Sequence, residues 1–196
     1  MKRIIIHWTA GAYQPNQVDY EHYHYLINGD GLVIAGKHKP EDNENTLDGN
    51  YAAHTGGGNT GSIGIAMCGM LGFKNRKQVG SYPLKAKQCE RCFKLIAELC
   101  KKYDIPITAN TVLTHYEFGK KYPTTSCGGK IDIIYLPEYS DIESDKIGRF
   151  IRAKARWYYE DFKANNFFIF NFLKFLVHLA EMQGFLFFHP FSTQIP

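Results

Sequence analysis

Three residues far apart in the chain have the chemistry of a metal centre: His7, His115 and Cys127. His7 ends the run Ile4-Ile5-Ile6, and His115 ends Thr111-Val112-Leu113-Thr114. Each histidine therefore stands at the rim of a short β-branched strand, with its backbone fixed and a ring edge free. Cys127 comes from a loop and adds a thiol. Two imidazoles and one thiolate suit zinc, and three protein ligands leave a fourth position for water, the pattern of catalytic zinc. Such an ion supplies hydroxide at neutral pH and polarises a scissile carbonyl. Spacing alone does not choose this reading. The chain has eight histidines, and a neutral histidine with both nitrogens satisfied packs well in a core. A cysteine nucleophile, Cys127 with His115 as its base, is a third arrangement, and it leaves His7 unexplained.

The elements that must carry these residues are legible from periodicity. Residues 4–6 are apolar on both faces, as in a strand covered above and below. Tyr23 to Ile27 and Leu32 to Ala35 flank Asn28-Gly29-Asp30-Gly31, which predicts a hairpin. Ser62 to Cys68 is another buried strand, whose Gly64 admits a close neighbour. Before it, Thr55-Gly56-Gly57-Gly58-Asn59-Thr60-Gly61 suits neither helix nor strand. That run is either a plain connector or a place where backbone approaches a ligand. It lacks the strand–turn–helix context of a phosphate loop. Pro83 opens a helix to about Tyr103, with a wide apolar stripe through Leu84, Cys92, Leu95, Ile96 and Leu99. Cys89 and Cys92 have zinc-like spacing but no second pair, and read as core. Tyr116 to Ser126 reads as loop. Through residue 140 the pattern is one α/β domain with a mixed sheet, followed over 141–196 by a helical extension, first basic and then strongly apolar.

Composition bounds the partners. The chain has 196 residues and a net charge of +4, too mild to argue for nucleic acid. Five cysteines, three of them within one helix, do not form a disulfide framework, and reduced thiols made in a cytoplasm are expected. No signal peptide is read at the start, because the apolar run ends at His7. In the extension, Asn171, Lys174, His178 and Glu181 form one polar stripe on an otherwise apolar helix. Lys174 and Glu181 argue against a clean bilayer span. The stretch instead suggests packing on the domain or on a second subunit, attachment to an anionic membrane surface aided by Lys146 to Arg156, or a tail with no selected role.

The ordered segments RIIIHWTAG, HYHYLINGDG, AAHTGGGNTGSIGIAMCG, LTHYEF and TTSC resemble the zinc-dependent N-acetylmuramoyl-L-alanine amidases of type 2. That family joins phage lysozyme-amidases and animal peptidoglycan recognition proteins. The resemblance runs from Lys2 to Pro137. It implies a mixed, mainly five-stranded sheet flanked by helices, with Zn2+ as cofactor and peptidoglycan as partner. It also implies hydrolysis of the amide between the lactyl group of N-acetylmuramic acid and L-alanine. By position it implies His7, His115 and Cys127 as zinc ligands and Tyr23 and Thr125 as oxyanion-stabilising catalytic residues, with His54 and Asn59 beside the groove as substrate contacts. The family usually has Cys-Pro-Gly where this chain has Cys127-Gly128-Gly129, and lysine in phage enzymes where it has Thr125. An endolysin made in a bacterial cytoplasm and acting on the wall after membrane opening is the leading expectation. A recognition module that binds peptidoglycan without cutting it is the alternative, and loss of a ligand would be its mark.

Overall fold

The computed structural model describes residues 1–182. Its centre is β1 (Arg3–Trp8), whose Ile4, Ile5 and Ile6 are buried. β1 is paired in parallel on one side with β4 (Ser62–Met67) and on the other with β5 (Val112–Thr114). Beyond β4 lies β2 (Tyr25–Ile27), also parallel, and then β3 (Val33–Ala35), the antiparallel return of the hairpin. The order β3-β2-β4-β1-β5 makes a mixed five-stranded sheet. Helices cover it, so the expected α/β architecture is observed.

Strand periodicity assigns the two faces of β1. Ile4, Ile6 and Trp8 join the large core beneath α2 (Ala86–Lys102), together with Cys89, Cys92, Phe93, Ile96 and Cys100. The two CxxC thiols are thus small core residues. Burying each isoleucine contributes roughly 1.5–3 kcal/mol. Gln88, also buried, donates through Nε2 to the carbonyls of Ile27 (3.1 Å) and Cys68 (2.9 Å), tying α2 to two strand ends. Ile5 faces the other way, against Phe118 and Cys127. His7 shares that side by the two-residue period.

Two local expectations change. The stretch after β5 is not a loop throughout: α3 spans His115–Lys121. Its start is a capping box in which Thr114 Oγ1 accepts from the Glu117 N–H and Glu117 accepts from the Thr114 N–H. α1 (Gln17–His22) opens with a similar box between Asn16 and Asp19. The basic stretch from Lys146 to Arg156 lies in α4 (Ile147–Met182) and the turn before it. Several of its cations are occupied at home: Lys146 pairs with Glu143, Arg152 with Glu117 and Lys154 with Glu90. The Arg156 guanidinium donates to the Ile107 carbonyl.

One compact unit covers Met1–Tyr159, and a second begins at Glu160. Within the second, Phe172, Leu173, Phe175 and Leu176 are exposed, as is Lys174. Among the described residues no helix is long and apolar enough to cross a membrane. The expectation for residues 183–196 lies outside the described residues.

His24, on the approach to β2, illustrates what the buried histidines do to stability. It is almost fully buried; its Nδ1 accepts the Gly64 N–H at 2.9 Å and its Nε2 faces Asn43 Oδ1 at 3.0 Å. Both nitrogens are satisfied by the neutral ring, and burial pushes its pKa down from 6.5 to about 4. The unfolded chain therefore takes up a proton first. The stabilisation is complete above pH 6.5 and is lost as pH falls toward 4, by about 3 kcal/mol for this residue. Melts of the metal-free protein should drop steeply over that window. A flat profile from pH 7 to 4 would contradict the neutral assignment.

Candidate metal centre

Register brings the two histidines together. Ile6 of β1 is level with Thr114 of β5, so the next residues, His7 and His115, leave the same sheet edge side by side. Both lie at the carboxyl ends of parallel strands, where open α/β sheets place their ligands. The Nδ1 atoms are 3.0 Å apart, and the rings approach edge to face with centroids 4.4 Å apart. A carboxylate closes the group: Asp132 Oδ2 lies 3.0 Å from His115 Nδ1 and 3.3 Å from His7 Nδ1. Among the described residues these three form the group whose donors converge on one point.

The donor set fits zinc. Ligands about 2.0–2.1 Å from zinc in tetrahedral directions stand about 3.3 Å from one another. The observed separations of 3.0, 3.0 and 3.3 Å are the edges of one tetrahedral face with little adjustment. Protonation states agree. Burial pushes His7 down to about 4, against the pull of Asp132, so its ring is neutral near pH 7. Burial opposes ionisation of Asp132, yet its contacts with His115 and His7 outweigh it and hold the carboxyl well below the usual range. Two imidazoles and one carboxylate are a known ligand set of catalytic zinc.

Cys127 stands elsewhere on the same ring. Its Sγ is 3.1 Å from His115 Nε2, the nitrogen turned away from His7 and Asp132, and 3.3 Å from the Gly56 carbonyl. It is buried, and burial pushes the thiol pKa up, with Thr125 acting in the opposite direction. The glycine run thus brings backbone against the cysteine.

Behind His7 lies His54. Its Nδ1 is 3.3 Å from His7 Nε2 and 2.7 Å from Thr55 Oγ1, while its Nε2 is 3.4 Å from the Ser62 carbonyl. Burial, then the neighbouring His7 and His24, hold it well below the ordinary histidine value. A proton on Nε2 given to Ser62 leaves Nδ1 to accept from Thr55 or from His7. In the second case the His7 proton is on Nε2, which would leave its Nδ1 lone pair free for a cation. Gly64 makes this stacking possible, because a Cβ there would be 2.5 Å from the His54 ring.

A family model described as N-acetylmuramoyl-L-alanine amidase matches residues 1–130. The chain belongs to that family. No curated protein matches it. Solved structures similar to it include the N-acetylmuramoyl-L-alanine amidase LysC from Clostridium intestinale URNW, at 19% identity over 79% of this chain and 85% of that one, TM-score 0.47. A PlyL variant is similar at 23% identity over 79% and 84%, TM-score 0.44. Drosophila peptidoglycan recognition protein SD is similar at 22% identity over 59% and 69%, TM-score 0.41.

The other positions implied by resemblance to this amidase family fall as follows. Tyr23 packs its ring 5.2 Å from that of His7, and its pKa is raised by burial and then by the charge of Asp132, so its phenol keeps its proton. Thr125 lies in the cysteine loop, where its hydroxyl donates to the Tyr122 carbonyl at 2.7 Å and accepts from the Cys127 N–H at 3.3 Å. Asn59 accepts the Thr55 N–H at 2.7 Å, holding the turn that follows His54. Asp132 escaped sequence reasoning. It follows Gly128-Gly129 in a turn without periodicity, and only its acidity in the segment after Cys127 could have singled it out.

Proposed function

We propose that the chain is a zinc-dependent amidase that hydrolyses the bond between N-acetylmuramic acid and L-alanine in peptidoglycan, acting as a phage or prophage endolysin. The observation that carries this reading is the convergence of His7 Nδ1, His115 Nδ1 and Asp132 Oδ2 at tetrahedral spacing, in a chain of this family. These three residues would hold the ion, with Cys127 steadying His115 from its far nitrogen. A bound zinc supplies a Lewis acid for the amide carbonyl and lowers the pKa of a coordinated water to about 7. Accepting the His7 Nε2 proton, His54 would keep His7 in the tautomer that ligates. The protonated phenol of Tyr23, whose ring packs against His7, would donate a hydrogen bond to charge developing beside it. The Thr125 proton is spent on Tyr122, so in this arrangement Thr125 shapes the loop rather than reaching substrate.

Zinc content and amine release test this together. The purified protein should carry about one zinc per chain and release L-alanine amino groups from purified wall; chelation should stop release and zinc should restore it. A metal-free, inert protein that binds wall would instead be a recognition module. Tyr23→Phe should leave zinc content unchanged and slow hydrolysis by about 10²- to 10³-fold, the usual cost of one oxyanion donor. An unchanged rate would remove Tyr23 from the reaction.

A second reading has one observation in its favour. Cys127, His115 and Asp132 stand in sequence across one imidazole, at 3.1 and 3.0 Å, as in a thiol hydrolase. Burial and a raised thiol pKa oppose it, and it gives His7 no part. Activity that survives chelation and is lost on thiol alkylation would select it.

A further inference from the structure

We infer that Arg152 of α4 is a positioning residue for the metal centre: it clamps the strand end and helix start between which His115 projects. The inference rests on His115 being a zinc donor. Arg152 is buried, with 7% exposure. Its guanidinium donates from Nη1 to the Val112 carbonyl at 2.9 Å, and from Nη1 and Nη2 to the two oxygens of Glu117 at 2.8 and 2.9 Å. Val112 is three residues before His115 and Glu117 two after. The same Glu117 oxygen that meets Nη1 also accepts the Thr114 N–H, closing the capping box that starts α3 at His115. One planar cation thus fixes the last strand of the sheet and the first turn of the helix at the same time.

The helix is built to come this close. Gly148 is four residues before Arg152, on the same face of α4, and a Cβ there would collide with the Glu117 carboxylate. A bidentate guanidinium has directional geometry that an ammonium cannot reproduce. Because both residues lie beyond the matched span of 1–130, the first turns of α4 belong to the working site although the family pattern does not include them. A direct hydrogen-bond partner of a zinc-ligating histidine is worth about 10- to 100-fold in metal affinity; Arg152 reaches His115 through Val112 and Glu117, so its loss should cost no more than the low end of that range.

The test uses the full chain with Arg152→Met, Arg152→Lys and Glu117→Gln. Zinc affinity is read by competition with a chromophoric chelator, and the His115 ring by its nitrogen-correlated NMR signals in the metal-free protein. Arg152→Met should bind zinc about 10-fold more weakly and shift or broaden the His115 ring signals while His24 keeps its own. Arg152→Lys should recover part of the affinity. Wild-type affinity with unmoved His115 signals in Arg152→Met would overturn the inference. Should that variant not fold, Glu117→Gln, which preserves the cap, should show a smaller loss in the same direction, and wild-type affinity there would overturn it equally. If the wild type itself binds no zinc, the reading of the centre fails; the His115 signals of the metal-free variants still decide whether Arg152 positions that ring.

Discussion

Replacing His7 by alanine is expected to strip the chain of zinc and to stop muramoyl–alanine hydrolysis together, by at least about 10³-fold. His7, itself fully buried, offers its Nδ1 to the centre from the central strand of the sheet, 3.0 Å from the His115 donor and 3.3 Å from Asp132. Its backbone is held by pairing with Ala66 of β4, and its neighbour His54 is turned to Thr55 and Ser62, so among the described residues no histidine is oriented to replace it. Metal catalysis of this kind is worth several kcal/mol of transition-state stabilisation, and each 1.36 kcal/mol is tenfold in rate. Metal content and initial rate on purified wall check it. The variant loses some stability, because the truncation leaves a cavity and unpairs His54 and Asp132, but β1 keeps its pairing and its core face, so the fold should persist. A His7→Ala protein that still lyses wall would remove the centre from the mechanism.

The second large effect separates the two candidates for the third donor. Resemblance implies Cys127; the geometry favours Asp132. They lie on opposite edges of the His115 ring, so they cannot both join His7 on the Nδ1 side without rearrangement. Asp132→Ala is expected to lose more than about 100-fold in zinc affinity, exceeding the usual cost of an outer partner, and to lose activity with it. Cys127→Ala should lose only about 10- to 100-fold, as the partner of the far nitrogen. The two variants, compared by metal competition at one pH, decide the matter. Zinc-free Cys127→Ala beside zinc-loaded Asp132→Ala would restore the thiolate as the ligand.

Much of the frame was legible because it rests on short-range patterns. The β-branched run before His7, the Asn28–Gly31 turn, and the apolar stripe of α2 each carry their own signal and appear as β1, the β2–β3 hairpin and a core helix. The pairing of His7 with His115 was legible only as two similar strand ends; their adjacency depends on β5 pairing beside β1 in parallel, a long-range choice that local sequence does not encode. Helix α3 was missed although its Thr114-x-x-Glu117 box is a written start signal, because the glycine, tyrosine and proline that follow read as loop. Asp132 and Arg152 were invisible for another reason. Each works through a tertiary contact, the one with two histidines and the other with Glu117, and neither has a periodic or motif signature of its own.

The most direct test is the mass of the soluble products released from purified peptidoglycan by the zinc-loaded chain. Stem peptides beginning with a free L-alanine amine, alongside glycan that keeps its lactyl carboxylate, are expected. Fragments in which lactyl and L-alanine remain joined, with new ends in the sugar chain or within the peptide, would contradict the proposed reaction.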